Sequence, residues 1–203
     1  LVYQRQTDGD AAPPITLTAE LIVMADGGRS QLRQQLGMFD RVHSYNQVAL
    51  VANLELEQPH QGLACERFTA SGPVALLPLI DHMGGPDSHH RVALVWTQPL
   101  ARQQQLEQMS DTDLLQEIQQ QVGYPMGELR AIGDRQVYPL SMSVAQEQAR
   151  QGIAVIGNAA HTLHPIAGQG LNLGLRDAAA LIDILVEAKR YGLDLAHSAG
   201  LER

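Results

Sequence analysis

Cysteine occurs once in the 203 residues, at Cys65, so no internal disulfide can form. That usage suits a reducing compartment such as the cytoplasm. No apolar run is long enough to cross a bilayer, and the start carries no leader-peptide pattern. No stretch combines a basic stripe with interleaved aromatics. Fourteen Lys and Arg stand against twenty-two Asp and Glu, a formal charge of −8, which argues against a nucleic-acid surface. An internal repeat and a low-complexity linker are also missing, although residues 102–108 are Gln-rich. The chain opens at Leu1, inside a strand-like LVYQRQ, and stops at AHSAGLER without a cap. It is therefore expected to be a piece of a longer protein.

What is present supports a folded core, since 44% of residues are hydrophobic. LVYQRQ and ITLTAELIVMADGG read as strands around a turn at Asp8-Gly9-Asp10 and Pro13-Pro14. The run Leu21 to Ala25 has the continuous apolar character of a strand covered on both faces. Ser30 is placed to cap a short helix that ends at Gly37. From Val48 the pattern changes. VALVANLEL, LACERFT, GPVALLPLI and HRVALVWTQP are short strands separated by turn residues, the pattern of an antiparallel sheet. MGGPDSHH (Met83–His90) is a loop. A helix follows over SDTDLLQEIQQQVGYP, with Ser110 and Asp113 at its start and Leu114, Leu115, Ile118 and Val122 on one face. After RQVYPLSMSVAQEQARQG the chain enters a buried strand, Ile153 to Gly157.

The next stretch, GNAAHTLHPIAGQGLNLGLRDAAALIDIL (Gly157–Leu185), joins that strand to an apolar helix. It is not a dinucleotide fingerprint, because residues 158–167 separate the strand end from Gly168, whereas the fingerprint glycines follow their strand at once. A metal site is disfavoured: Pro165 breaks any helix carrying both His161 and His164, and no carboxylate or thiol cluster completes a shell. Two readings stay open on the residues alone. One is a backbone-lined seat for a flat polar ligand, with a helix starting near Leu171 or Asn172 aimed at it and Leu175, Ala178, Ala179, Ile182, Leu185 and Val186 buried on its apolar face. The other is an irregular loop that holds nothing.

Two motifs carry a family resemblance over essentially the whole chain. GNAAHTLHPIAGQGLNLGLRDAAAL is similar to the second flavin-contacting motif of the class A flavoprotein aromatic hydroxylases, the p-hydroxybenzoate hydroxylase-like group. That motif usually runs G-D-A-A-H, Pro, G-x-G-x-N and then a helix bearing an Asp. ADGGRSQLR (Ala25–Arg33) resembles the group's internal D-G-x-x-S-x-x-R fingerprint, with Asp26, Gly27, Ser30 and Arg33 in place. Within the group, the run His161–Asp177 is similar to the ubiquinone-biosynthesis branch.

The resemblance implies a mixed α+β, α/β fold: pieces of an FAD-binding domain at 1–39 and 139–203, with an antiparallel substrate-binding sheet domain inserted at 40–138. It implies a monooxygenase that hydroxylates a polyprenylated phenol with FAD, NAD(P)H and O2. Pro165, Gly168, Gln169 and Gly170 would line the flavin ring, while Leu171, Asn172 and the helix start would face its pyrimidine edge. Asn158, where the branch ordinarily has Asp, would meet the ribityl chain, and Gly157 and His161 would also belong to the cofactor-binding set. Asp26, Gly27 and Arg33 would lie near the pyrophosphate and the nicotinamide-nucleotide approach. No catalytic base and no metal ligand stand out. A lipid-tailed substrate implies a cytoplasmic protein in peripheral contact with the inner membrane, with partners from the same biosynthesis. Rival expectations are a hydroxylase of a small soluble aromatic acid and a non-catalytic interaction domain reusing the fold. The group's opening G-x-G-x-x-G is absent from this sequence, so the chain by itself is expected to hold little or no FAD.

Overall fold

A computed structural model describes residues 2–3, 15–79, 89–166 and 168–195. The turn at Asp8–Asp10 and most of the loop at Met83–His90 lie outside them. In chain order the elements are β1 (Val2–Tyr3), β2 (Ile15–Thr16), β3 (Ile22–Met24), α1 (Gln31–Gln35), β4 (Asp40–Leu56), β5 (Cys65–Thr69), β6 (Gly72–Pro78) and β7 (Arg91–Pro99). They continue with α2 (Gln103–Gln108), α3 (Asp111–Val122), β8 (Leu129–Ile132), β9 (Gln136–Ala145), β10 (Ala149–Arg150), β11 (Ile153–Val155), β12 (His161–Thr162) and α4 (Gln169–Tyr191). Single 3-10 turns stand at Leu100–Arg102 and Gly157–Ala159. The chain divides into two compact units, one of residues 1–42 with 143–203 and one of residues 43–142.

In the 43–142 unit, period-two alternation decides the architecture. Val48, Leu50, Ala52, Leu54 and Leu56 of β4 are all buried, and their odd-numbered neighbours Asn53 and Glu55 are exposed. The strands run β9-β4-β7-β6-β5, with β8 pairing the far end of β4. Antiparallel register sets Leu50 opposite Trp96 and Trp96 opposite Val74. Ala52, Leu94 and Leu76 form the next row. These rows make one apolar face, which packs with Leu106 of α2 and Leu114 and Ile118 of α3. The Ser110 hydroxyl caps α3 by accepting from Asp113 N at 3.2 Å, as its sequence position implied. Gly123 ends the helix with φ 74°. Arg102 reaches Glu117 through two donors, at 2.6 and 2.9 Å, and its guanidinium stands 5.8 Å from the Trp96 ring.

The other unit is built on a small sheet, β10-β11-β3, in which β11 and β3 are parallel. Met24, Met38, Val155, Ala159 and Ala160 form its core. Two expectations need correcting. Strand β3 is not covered on both faces: Met24 is buried but Val23 is exposed. Helix α4 starts at Gln169, and its apolar face is not buried. Leu175, Ala179, Ile182 and Val186 are exposed, with Ala178 and Leu185 half-buried, because the 157–159 turn is the chief element laid against the helix among the described residues. Periodicity marks which face of a helix is apolar; it does not supply the surface that covers it.

Shortening Ile118, which is fully buried, to alanine should lower the urea-unfolding free energy by about 3 kcal/mol through transfer and cavity terms. Ser110→Ala, which removes only a cap, should cost about 1 kcal/mol. Equal losses would contradict this account of how the sheet is covered.

Candidate functional site

The site grows from the pairing of two short strands. Ile22, Val23 and Met24 of β3 lie beside Ile153, Ala154 and Val155 of β11, and Ile156 N continues the ladder to Met24 O at 3.0 Å. Because the strands are parallel, their carboxyl ends finish side by side, and the loops that follow leave from one place. Such a strand-end crevice is where open α/β sheets take ligands. The structure thus brings Asp26 and Gly27 together with Gly157 and Asn158. A Cβ on Gly28 would fall 2.6 Å from Thr162 Oγ1 and 3.6 Å from the Asn158 carbonyl, so any side chain there would displace the Thr162 hydroxyl.

The first loop is self-bracing. Ser30 caps α1 by accepting from Arg33 N at 3.1 Å, while its hydroxyl donates to Asp26 Oδ2 at 2.9 Å. Asp26 is exposed, and Gly27 supplies the carbonyl that accepts from Ser30 N. Arg33 turns inward and is 2% exposed. Its Nη1 donates to Ala159 O at 2.5 Å and its Nη2 pairs with Asp40 Oδ2 at 2.9 Å, leaving buried Nε without a partner. At 2% exposure the Arg33 guanidinium is turned away from any ligand at the surface of the loop. Ser143 also donates to Asp40. That hydroxyl, and after it the Arg33 charge, hold the Asp40 carboxyl below the usual carboxylate range against the opposing effect of burial.

The second loop is anchored by a residue that the sequence reading did not single out. Asp177, in the third turn of α4, accepts through Oδ2 from Gly157 N at 2.8 Å and pairs the same oxygen with His161 Nε2 at 2.8 Å. The available sign was the Asp that the resembled motif carries in its helix, which here is Asp177, the first of three acidic residues in α4. Gly157 has φ 60° and packs against Gly174, whose added Cβ would lie 3.4 Å from Gly157 Cα. Beyond it, Asn158 and Pro165 are exposed, as are Gly168, Gln169, Leu171 and Asn172, and Gly170 is half-buried. Burial pushes the His164 imidazole below its ordinary value, which favours the neutral ring.

These residues suit a flat group with an anionic edge, such as the flavin of FAD. A Cβ at Gly168 would meet nothing within 4 Å, so the backbone there is open. The first turn of α4 carries no acidic side chain to oppose an anionic edge. Among the described residues no group of three or more His, Cys, Asp and Glu could hold a metal ion. A cleft of about 530 Å³ in the 43–142 unit is lined by Glu57, His90, Arg91 and Arg130 but by none of the motif loops, and Glu57 and Arg130 pair within it at 2.8 Å.

The Arg33–Asp40 pair yields a prediction with a definite sign. A carboxyl held low in the folded state adds stability that is complete above its unfolded value and is lost as pH falls through the folded one. Asp40→Asn should therefore destabilise the protein by about 2–3 kcal/mol at neutral pH, less than for a fully buried pair because Asp40 is partly solvated. The gap between wild type and variant should close below about pH 4. Urea midpoints measured across pH check this, and an unchanged midpoint at neutral pH would contradict it.

A family model described as an FAD binding domain matches residues 2–198. Ubiquinone hydroxylase UbiL of Rhodospirillum rubrum is 38% identical over 179 residues, which cover 88% of this chain and 40% of that protein. The 3-demethoxyubiquinol 3-hydroxylase of Escherichia coli is 36% identical over 176 residues, 87% of this chain and 43% of that one. The chain thus spans less than half the length of these relatives. Among solved structures, PqsL, a probable FAD-dependent monooxygenase from Pseudomonas aeruginosa, superposes with a TM-score of 0.65 at 22% identity, covering 90% of this chain and 50% of the other. The flavin-dependent halogenase CmlS gives 0.69 at 14% identity, covering 94% and 34%; at such identities the likeness is one of fold. With the two motif loops set at adjacent strand ends and the family match running through both units, the chain belongs to the FAD binding domain family.

Proposed function

We propose that this chain is part of an FAD-dependent aromatic-ring monooxygenase that hydroxylates a polyprenylated phenol in ubiquinone biosynthesis, with NAD(P)H and O2 as co-substrates. The observation that carries the proposal is the open, glycine-edged loop from Gly157 to Asn172, ending on the N-terminus of a 23-residue helix. The named activities of UbiL and of the 3-demethoxyubiquinol hydroxylase support the substrate class.

FAD, when bound, supplies the redox chemistry that links NAD(P)H, O2 and the phenol ring. The chain's own residues hold and orient it. Pro165, Gly168, Gln169 and Gly170 line the ring system with backbone and a rigid pyrrolidine. Leu171 and Asn172, with the free N–H groups of the first helical turn, favour negative charge on the pyrimidine edge. Asn158 offers the ribityl hydroxyls both a carbonyl acceptor and an amide donor, which an aspartate could not. Asp26 and Gly27 serve the pyrophosphate side. We assign substrate binding to the 43–142 unit. No helix among the described residues is long and apolar enough to cross a membrane. Peripheral membrane contact with a lipid-tailed substrate is part of the proposal and follows from the substrate class. Partner proteins of the same biosynthesis belong to this proposal too.

The test is oxygen incorporation by the full-length protein. With FAD, NAD(P)H and isotopically labelled O2, a polyprenylated phenol should gain one labelled oxygen atom per turnover. Labelling of a small soluble aromatic acid alone, or of neither, would contradict the assignment.

A further inference from the structure

The residue best placed to meet the ribityl chain, Asn158, is exposed and its side chain makes no hydrogen bond among the described residues, yet both its neighbours are pinned. Gly157 N is held by Asp177 at 2.8 Å and Ala159 O by Arg33 at 2.5 Å. Both holding groups are ionic, and charge-assisted bonds are the stronger kind. Asp177 does not cap its own helix: it stands in the third turn, past the four unsatisfied N–H groups that a capping side chain could serve. Gly174, one turn nearer the N-terminus on the same face, is what lets the 157–159 turn come down onto that carboxylate. The second bond to Oδ2 comes from His161 Nε2, so His161 must carry its proton on that nitrogen, and Nδ1 is left buried without a partner.

We infer that Asp177 is a positioning residue for the cofactor: it acts on the ribityl contact through Gly157 and Asn158 without touching the ligand. Arg33 is the opposite jaw of the same clamp. The inference rests on the FAD reading above.

A double-mutant cycle on the full-length protein tests it, with FAD affinity measured by fluorescence titration. Asn158→Ala should weaken FAD binding about tenfold and Asp177→Asn about fivefold; the double variant should lose no more than about tenfold, because Asp177 has nothing left to position. Costs that multiply to about fiftyfold would overturn the inference and leave the FAD reading intact. A wild type that binds no FAD would overturn both. If Asp177→Asn does not fold, the wild type still decides. Imidazole 15N spectra at neutral pH should show His161 protonated on Nε2, and a ring protonated on Nδ1 alone would overturn the clamp.

Discussion

A guanidinium with 2% of its surface in water stays in place only where its charge and donors are answered, and Arg33 is answered by Asp40 and the Ala159 carbonyl. The rest of the site depends on that arrangement. Arg33 leaves α1, the helix capped by the first motif, and bonds to the second motif 126 residues later in the chain. Its partner Asp40 begins β4 and also takes a hydrogen bond from Ser143 of β9. One buried cation therefore connects both motifs with the first residue of one long strand and a residue near the end of another. Removing Asp40 leaves the Arg33 charge buried without its counter-ion.

The two units solve different problems with the same few rules. In the 43–142 unit, strand alternation and cross-strand rows around Trp96 make a large core that is mainly apolar, with His60, Thr97 and Gln98 the other buried polar residues beside the unpartnered Trp96 indole N–H. In the other unit the core is small and order comes from ionic hydrogen bonds, with Arg33 on one side of the 157–159 turn and Asp177 on the other. That division suits a binding site. A loop held by charge-assisted bonds from rigid helices keeps its backbone placed while its own side chains stay exposed for a ligand.

Local signals in the sequence translated well. Ser30 and Ser110 cap the helices that their positions implied, and the alternating runs became β4 to β7. Signals of long range did not. The first half of β4, DRVHSYNQ, is polar and largely exposed, so alternation marked only Val48 onward, although the strand starts at Asp40. Strand β9 carries Pro139 and a mixed pattern, and it is recognisable only by its pairing. The candidate site was legible as a set of glycines with Asn158, Asn172 and Pro165 among them. Its supports were not: the burial of Arg33 and the reach of Asp177 to Gly157 are tertiary facts, and no spacing rule encodes them.

The central claim is that the loop from Gly157 to Asn172 seats the flavin. Hydrogen exchange of the full-length protein with and without FAD tests it most directly. The account predicts added protection concentrated in residues 157–172, with little change in α3. Tight FAD binding that leaves 157–172 exchanging as before would contradict it.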